Sequence, residues 1–463
     1  MHKNIRMMSS SSSPSSPSLQ QPDTVYPYKP PSWAVSKLTN VPKNGRLHLA
    51  NLPTPLQLIG TNRIQKQTGS SSNNDNTGNR SSILSRLKEL NINLYIKRDD
   101  ATGGVELGGN KLRKLEFLLA DAIANGCDSV VTIGGEQSNH CRATAAASRM
   151  VGLNPNLILR TRRADKIHDK IDELGFEGNI LFDRMVGSTV YTCTPGEYGR
   201  VGSKKLVEHV CNYIISNDDD DVRKPYPIPV GGSNGVGSWG YINAVDELMH
   251  QMGLMTKQQQ HQQEQKEDDK TNTASNFNLD HVVFATGSGG TAAGISLGLS
   301  LAYESVGQSC PPMMHAVGVC DNPDYFYQTM ALIADEMGIS LSSFSNHATT
   351  EDFIRDIVTV HHGKGRGYAL STEEELDFIL QFSLETGIAL DPVYSGKALY
   401  HFLKHVVEED ATSYRDKNIL FWHTGGALGI YEKGSDLLPK FSDVSPVKRI
   451  DVYGSNGVKE TTN

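Results

Sequence analysis

The chain predicts an α/β fold of open, mostly parallel sheets with helices on both faces. Two observations carry this. Short β-rich runs alternate with helical runs along much of its 463 residues, the pattern of strands joined by crossover helices. Glycine-rich turns follow several of those runs, at the carboxyl ends of strands where such folds bind ligands. The length allows a large core and two or more domains.

Taken in order, Ser129-Val130-Val131-Thr132-Ile133 reads as a strand and precedes a helix beginning near Ser138. Leu157 to Leu159 and Ile180 to Phe182 read as further strands. Tyr226 to Val230 precedes a helix around Tyr241 to Met252. His281 to Ala285 leads through a Gly-rich loop into a helix from Thr291 to Tyr303, and Ala316 to Val319 and Ile419 to Trp422 are late strands. Thr61 to Ser82, Asn217 to Lys224 and Met255 to Asn276 lack apolar periodicity and are expected as disordered loops. The four consecutive aspartates of the second stretch read as a solvated loop, since no second ligand cluster accompanies them to suggest a metal.

A net charge of -8 argues against a nucleic-acid partner. No apolar run approaches the roughly 18 residues of a membrane span. The six cysteines form no CxxC pair, so neither a zinc site nor a disulfide framework is expected, and a reducing compartment follows. Met1 to Pro22 is Ser/Pro-rich with no acidic residue before Asp23. That fits an organelle transit peptide or a disordered tail equally, so the address is cytoplasmic or mitochondrial; the lack of an apolar h-region argues against secretion.

Chemistry concentrates in Leu94 to Leu119, LYIKRDDATGGVELGGNKLRKLEFLL. Leu112, Leu115, Leu118 and Leu119 recur at helix spacing, which puts Lys111 in the first turn of a helix. Gly108-Gly109 lets the backbone bend and approach a ligand. An amine fixed there, if desolvated, can form a Schiff base with an aldehyde cofactor. Lys114, one turn on, can neutralise a phosphate of the same ligand. In GGEQSNH, Ser138 and Asn139 fall at a helix N-terminus, whose free N–H groups suit a substrate carboxylate; Ser138 is equally a helix cap. In TGSGGTAAG, Gly287, Gly289 and Gly290 free the backbone between strand and helix, and Ser288 and Thr291 add donors for a phosphate. No Walker lysine follows, which disfavours a nucleoside triphosphate; a dinucleotide fits the glycines alone as well.

GGNKLRKLE, GGEQSNH, TGSGGT and DPVYSGK occur in one order between about Leu52 and Tyr431. In them the chain resembles the pyridoxal-phosphate enzymes of the tryptophan-synthase-β-like fold, and among these the branch of D-cysteine desulfhydrase and 1-aminocyclopropane-1-carboxylate deaminase. The resemblance implies pyridoxal 5′-phosphate on Lys111, its phosphate on Lys114 and on the loop from Gly287 to Thr291, and Ser138 and Asn139 against substrate and cofactor. It places Tyr394 against the cofactor ring and Tyr368 near the substrate, each an acid or base if its phenol pKa falls beside cations. It implies a large cofactor domain from 45–113 and 231–440, a small domain at 114–230, tails at 1–44 and 441–463, insertions at 61–82 and 255–276, and a homodimer.

Two positions bear on the substrate. The deaminase pattern has glutamate after the DPVY tyrosine and leucine before the last Gly-Gly; this chain has Ser395 and Thr424, as in the desulfhydrase pattern, and both are expected beside the cofactor. A hydroxyl there suffices to expel a good leaving group, whereas a carboxylate strengthens the electron sink that opening a cyclopropane needs. The expectation is β-elimination of D-cysteine to pyruvate, hydrogen sulfide and ammonia. The alternatives are the deaminase, giving 2-oxobutyrate and ammonia, and a non-catalytic small-ligand binder, which the intact Lys111 disfavours.

Overall fold

The computed structural model describes residues 21–60, 82–167, 174–216, 223–264, 277–305, 307, 310–441, 444–445, 447, 449–450 and 458–459. The expectations for residues 1–20, 61–81, 217–222 and 265–276, and for most of the stretch after 441, lie outside the described residues.

Ten strands build two sheets: β1 (Leu56–Leu58), β2 (Asn93–Arg98), β3 (Ser129–Gly135), β4 (Asn154–Arg160), β5 (Thr189–Cys193), β6 (Pro225–Pro227), β7 (His281–Thr286), β8 (Met313–Gly318), β9 (Thr359–His362) and β10 (Asn418–His423). The larger sheet has the order β1-β2-β10-β7-β8-β9, parallel throughout except for the β1/β2 pair. The smaller has the order β5-β4-β3-β6 and is wholly parallel. Every residue of β7 is buried, because a central parallel strand is covered on both faces. Val282 and Phe284 pack with Phe117, Tyr241 and Ile295 on one face, while Val283 and Ala285 pack with Phe378, Phe382 and Leu399 on the other. The side-chain alternation of a strand thus sorts one apolar run into two cores.

Three helices form the first of those faces: Lys111–Ala124, Gly235–Glu264 and Gly290–Ser305. Their backbones approach at glycines. A Cβ on Gly240 would run into the carbonyl oxygen of Arg113, and one on Gly294 into the Cβ of Tyr241. Beneath them lies Asp99, fully buried. It accepts hydrogen bonds from Arg113 Nε at 3.0 Å, Tyr241 Oη at 2.8 Å and Trp422 Nε1 at 2.8 Å, which ties the Lys111 helix to β10 and to the Gly235 helix.

Three imidazoles, those of His281 and His315 buried and that of His361 half-buried, cross the larger sheet in hydrogen-bonded file. His281 Nδ1 meets His315 Nε2 at 3.1 Å, and His315 Nδ1 meets His361 Nε2 at 2.9 Å. Burial pushes His281 down to about 4 and His315 to about 3, so both are neutral near pH 7.

Two expected elements differ. Ile180 to Phe182 lies in a helix, Asn179–Met185, and not in a strand. An apolar triplet is too short to show its period. Here Ile180 is buried while Leu181 faces outward, and the place beside β4 goes to β5. That helix also buries Asp183 near Arg142, with neither carboxylate oxygen hydrogen-bonded among the described residues. The helix expected around Tyr241 to Met252 runs from Gly235 to Glu264, so Met255 to Glu264 is helical and not a loop. The Asn234 side chain accepts from the Gly237 N–H at 2.9 Å at its start, and the Gln, Lys and Glu residues that hid it are good helix formers.

Candidate active site

A cavity of about 490 Å³ lies between the two sheets, at the carboxyl ends of β3, β4, β7, β8 and β10. It falls within the usual size of a small-ligand pocket. Lys111 lines it as the first residue of its helix. The turn that delivers Lys111 is fixed at both sides. Thr102 Oγ1 accepts from the Gly109 N–H at 2.9 Å and donates to the Gly109 carbonyl at 2.8 Å, and the Asn110 N–H donates to the Thr424 carbonyl at 3.0 Å. Burial pushes the Lys111 amine down to about 8, the desolvation that makes a lysine nucleophilic near neutral pH.

Across the cavity, Gly287, Ser288 and Gly289 join β7 to the Gly290–Ser305 helix. Gly289 has a φ of 79°, a conformation side chains rarely adopt. A Cβ on Gly287 would come to 2.9 Å from the Tyr394 ring. The loop therefore opens backbone N–H groups at a helix N-terminus, which suit a phosphate. Thr291 lines the same space and accepts from Asn110 Nδ2 at 3.0 Å, while Gly290 lies behind, its N–H on Ser233 Oγ at 3.2 Å.

Lys114 is not among the lining residues. It is fully buried behind the loop, where its amine donates to the Gly231 carbonyl and to Ser233 Oγ, which bonds Ser288 Oγ at 2.8 Å. Burial, then the nearby Lys111 charge, hold its pKa well below the usual value. The expected phosphate lysine thus braces the loop through two serines, because nearer acceptors hold its amine.

Ser138 and Asn139 both line the cavity. Ser138 is the cap of the Asn139–Met150 helix, accepting from the Cys141 N–H at 3.1 Å. Asn139 Oδ1 and Thr286 Oγ1 are buried without a hydrogen-bond partner among the described residues. Buried polar atoms are rarely left so, and here both belong to residues that line the cavity.

Tyr368 and Tyr394 line the opposite wall with their hydroxyls 2.8 Å apart. Burial raises both phenols, Tyr394 well above its ordinary value. At Tyr368 desolvation outweighs the nearby Arg160 charge, and without a cofactor both groups keep their protons near pH 7. Thr424 lines the cavity, but Ser395 does not. The Ser395 hydroxyl donates to Asp391 Oδ1 at 2.5 Å, and the same carboxylate collects the N–H groups of Val393, Tyr394 and Ser395. A buried carboxylate with no cation bonded to it draws in the nearest donors, and Ser395 is one of them.

The lining also holds His140, Arg160, Tyr198, Cys320 and Asp321, which the sequence reading passed over. His140 bonds Thr132 Oγ1 at 2.8 Å and is kept neutral by burial and by the neighbouring lysines. Arg160 was the findable one, since it ends a β-rich run at the edge where ligands bind. Among the described residues no group of three or more His, Cys, Asp or Glu side chains forms a metal site.

A family model described as pyridoxal-phosphate dependent enzyme matches residues 79–425. The chain is 40% identical over 424 residues, 92% of its length and 88% of the relative's, to a bifunctional D-cysteine desulfhydrase/1-aminocyclopropane-1-carboxylate deaminase, mitochondrial, of Arabidopsis thaliana. It is 32% identical over 356 residues, covering 75% of this chain and 91% of the relative, to a D-cysteine desulfhydrase of Serratia proteamaculans. The solved structure of an ACC deaminase homologue aligns with a TM-score of 0.61 at 27% identity, covering 88% of this chain and 99% of that one.

Proposed function

The chain belongs to the pyridoxal-phosphate dependent enzyme family, and from that premise we propose that it cleaves D-cysteine to pyruvate, hydrogen sulfide and ammonia. The residues present fit the cofactor. A desolvated amine stands in one cavity with a glycine loop, and Asn139 and Thr286 there have buried oxygens without hydrogen-bond partners among the described residues.

Lys111 would hold the cofactor's aldehyde carbon, and the Gly287–Thr291 loop its phosphate. Bound pyridoxal phosphate supplies an electron sink for the pair left on the substrate's α-carbon. The chain's own groups do the rest. The Lys111 amine, released to the substrate's arrival, accepts the α-proton at Nζ. The start of the Asn139 helix binds and orients the α-carboxylate through its free N–H groups. Tyr368 and Tyr394 hold protons at Oη, where one can pass to departing sulfur.

The observation that carries the substrate choice is Thr424 on the cavity wall where the deaminase pattern has leucine, with no glutamate at the neighbouring position 395. Among the residues lining the cavity the sole carboxylate is Asp321, so the electron sink is not sharpened as ring opening requires. The name of the Arabidopsis relative favours a second reading, in which the cyclopropane acid is also turned over. Incubation of the holoenzyme with D-cysteine, L-cysteine and 1-aminocyclopropane-1-carboxylate, with pyruvate and 2-oxobutyrate measured, tests both. Pyruvate from D-cysteine is expected to dominate; a preference for 2-oxobutyrate from the cyclopropane acid overturns the reading. We include in it the homodimer implied by the resemblance, to be read by light scattering as twice 50.6 kDa. A mitochondrial or cytoplasmic address is also part of it, and the mitochondrial Arabidopsis relative supports the former.

A further inference from the structure

Arg160 ends β4 directly beside Gly135 of β3 and lines the cavity. Its guanidinium carbon lies 4.8 Å from the Tyr198 ring centre and 5.8 Å from that of Tyr368. Its guanidinium has no hydrogen bond or ion pair to any described residue. Ring faces hold a guanidinium by its plane and leave its N–H edge free. A partly buried cation with five donors and no acceptor suits an anion from outside the chain. Tyr368 joins Tyr394 at 2.8 Å, so Arg160 shares one wall with the two protonated phenols. The start of the Asn139 helix already offers the α-carboxylate its own donors.

We propose that Arg160 is a specificity-determining residue that receives the sulfur departing from the substrate's β-carbon as an anion. This rests on the D-cysteine reading above. As the α-carbon's electron pair forms the Cα–Cβ double bond, the C–S bond breaks and its pair leaves on sulfur as hydrosulfide. Arg160 meets the charge that forms, and the phenol pair stands beside it with a proton. Opening a cyclopropane releases no anion, so the same guanidinium gives that reaction nothing.

The test uses the holoenzyme and the variants Arg160→Gln and Arg160→Lys. In Arg160→Gln, kcat/KM for D-cysteine is expected to fall about 10- to 100-fold, the worth of one charge-assisted hydrogen bond. For β-chloro-D-alanine, whose chloride leaves without help, the fall should stay below about threefold. Arg160→Lys keeps the charge and should recover part of the loss. Independently of turnover, melting shifts are titrated with hydrosulfide at pH 8 and with propionate, on protein with and without cofactor. Arg160→Gln should need about tenfold more hydrosulfide for the same shift and no more propionate. Equal falls for the two substrates overturn the proposal. So does a loss of propionate binding, which would place the α-carboxylate at Arg160. If the wild type makes no pyruvate from D-cysteine, the substrate reading fails, while the hydrosulfide and propionate titrations still decide the role of Arg160.

Discussion

Removing the cofactor exposes a measurable property of Lys111. Its amine is pushed down to about 8 by burial. At pH 7 about one amine in eleven is then unprotonated, against about one in 3,000 for an ordinary lysine, a ratio of about 300. Only the unprotonated amine captures an aldehyde. Protein stripped of cofactor and mixed with pyridoxal phosphate should therefore develop its visible absorbance at a rate that rises tenfold per pH unit up to about 8 and then levels. Stability of the stripped protein follows the same group. The folded pKa lies below the unfolded one, so between about 8 and 10.5 the unfolded state holds more protons. Stability should thus rise with pH across that window, by at most about 3 kcal/mol. A capture rate that keeps climbing to pH 10.5 would refute the desolvation argument, and a Lys111→Met variant should show neither effect.

Asp183 offers the opposite sign. Burial pushes it up to about 8, so between about pH 4 and 8 the folded state holds a proton that the unfolded state has released. Stability should fall as pH rises through that window, and Asp183→Asn should remove the fall and gain up to about 5 kcal/mol at pH 8 by urea unfolding. The imidazole file predicts acid sensitivity: with His281 and His315 pushed below 6.5, the unfolded state takes up protons first as pH falls. Melting temperature should drop below pH 6, and His315→Gln should make the drop shallower, His315 being worth up to about 4 kcal/mol. Ser395→Glu sets a second carboxylate against Asp391, whose oxygen now lies 2.5 Å from the serine hydroxyl. It should cost roughly 3 kcal/mol, read by urea unfolding, and should not convert the enzyme to a deaminase. A Ser395→Glu protein as stable as the wild type and active on the cyclopropane acid would show that the side chain turns to the cavity after all.

Lys111, Ser138, Asn139 and the Gly287 loop were legible because each lies in a contiguous strand–turn–helix run, where local spacing sets the backbone. Where Lys114 and Ser395 point was not legible. Their directions are set by the Gly231 carbonyl and by Asp391, one distant in sequence and one whose need for donors shows only when it is buried. Arg160 and Tyr198 were missed for the same reason. They meet only because β4 and β5 pair in parallel, Arg160 opposite Cys193, and the next helix carries Tyr198 back over the guanidinium. The Ile180 helix was misread because three apolar residues have no period.

The glycine contacts between the three helices have a metrical consequence. Lys111 and the Gly287 loop stand at the starts of two helices, and both of these rest on the Gly235–Glu264 helix, at Gly240 and at Gly294. The span between amine and cradle is therefore gauged by main chain lying on main chain at Gly240 and on the main chain and the rigid Cβ of the next helix at Gly294, with no flexible side-chain end in between. Such a calliper has little play. An aldehyde carrying its phosphate on a longer or shorter arm would reach one jaw and miss the other, and an alanine at either contact would reset the gauge itself.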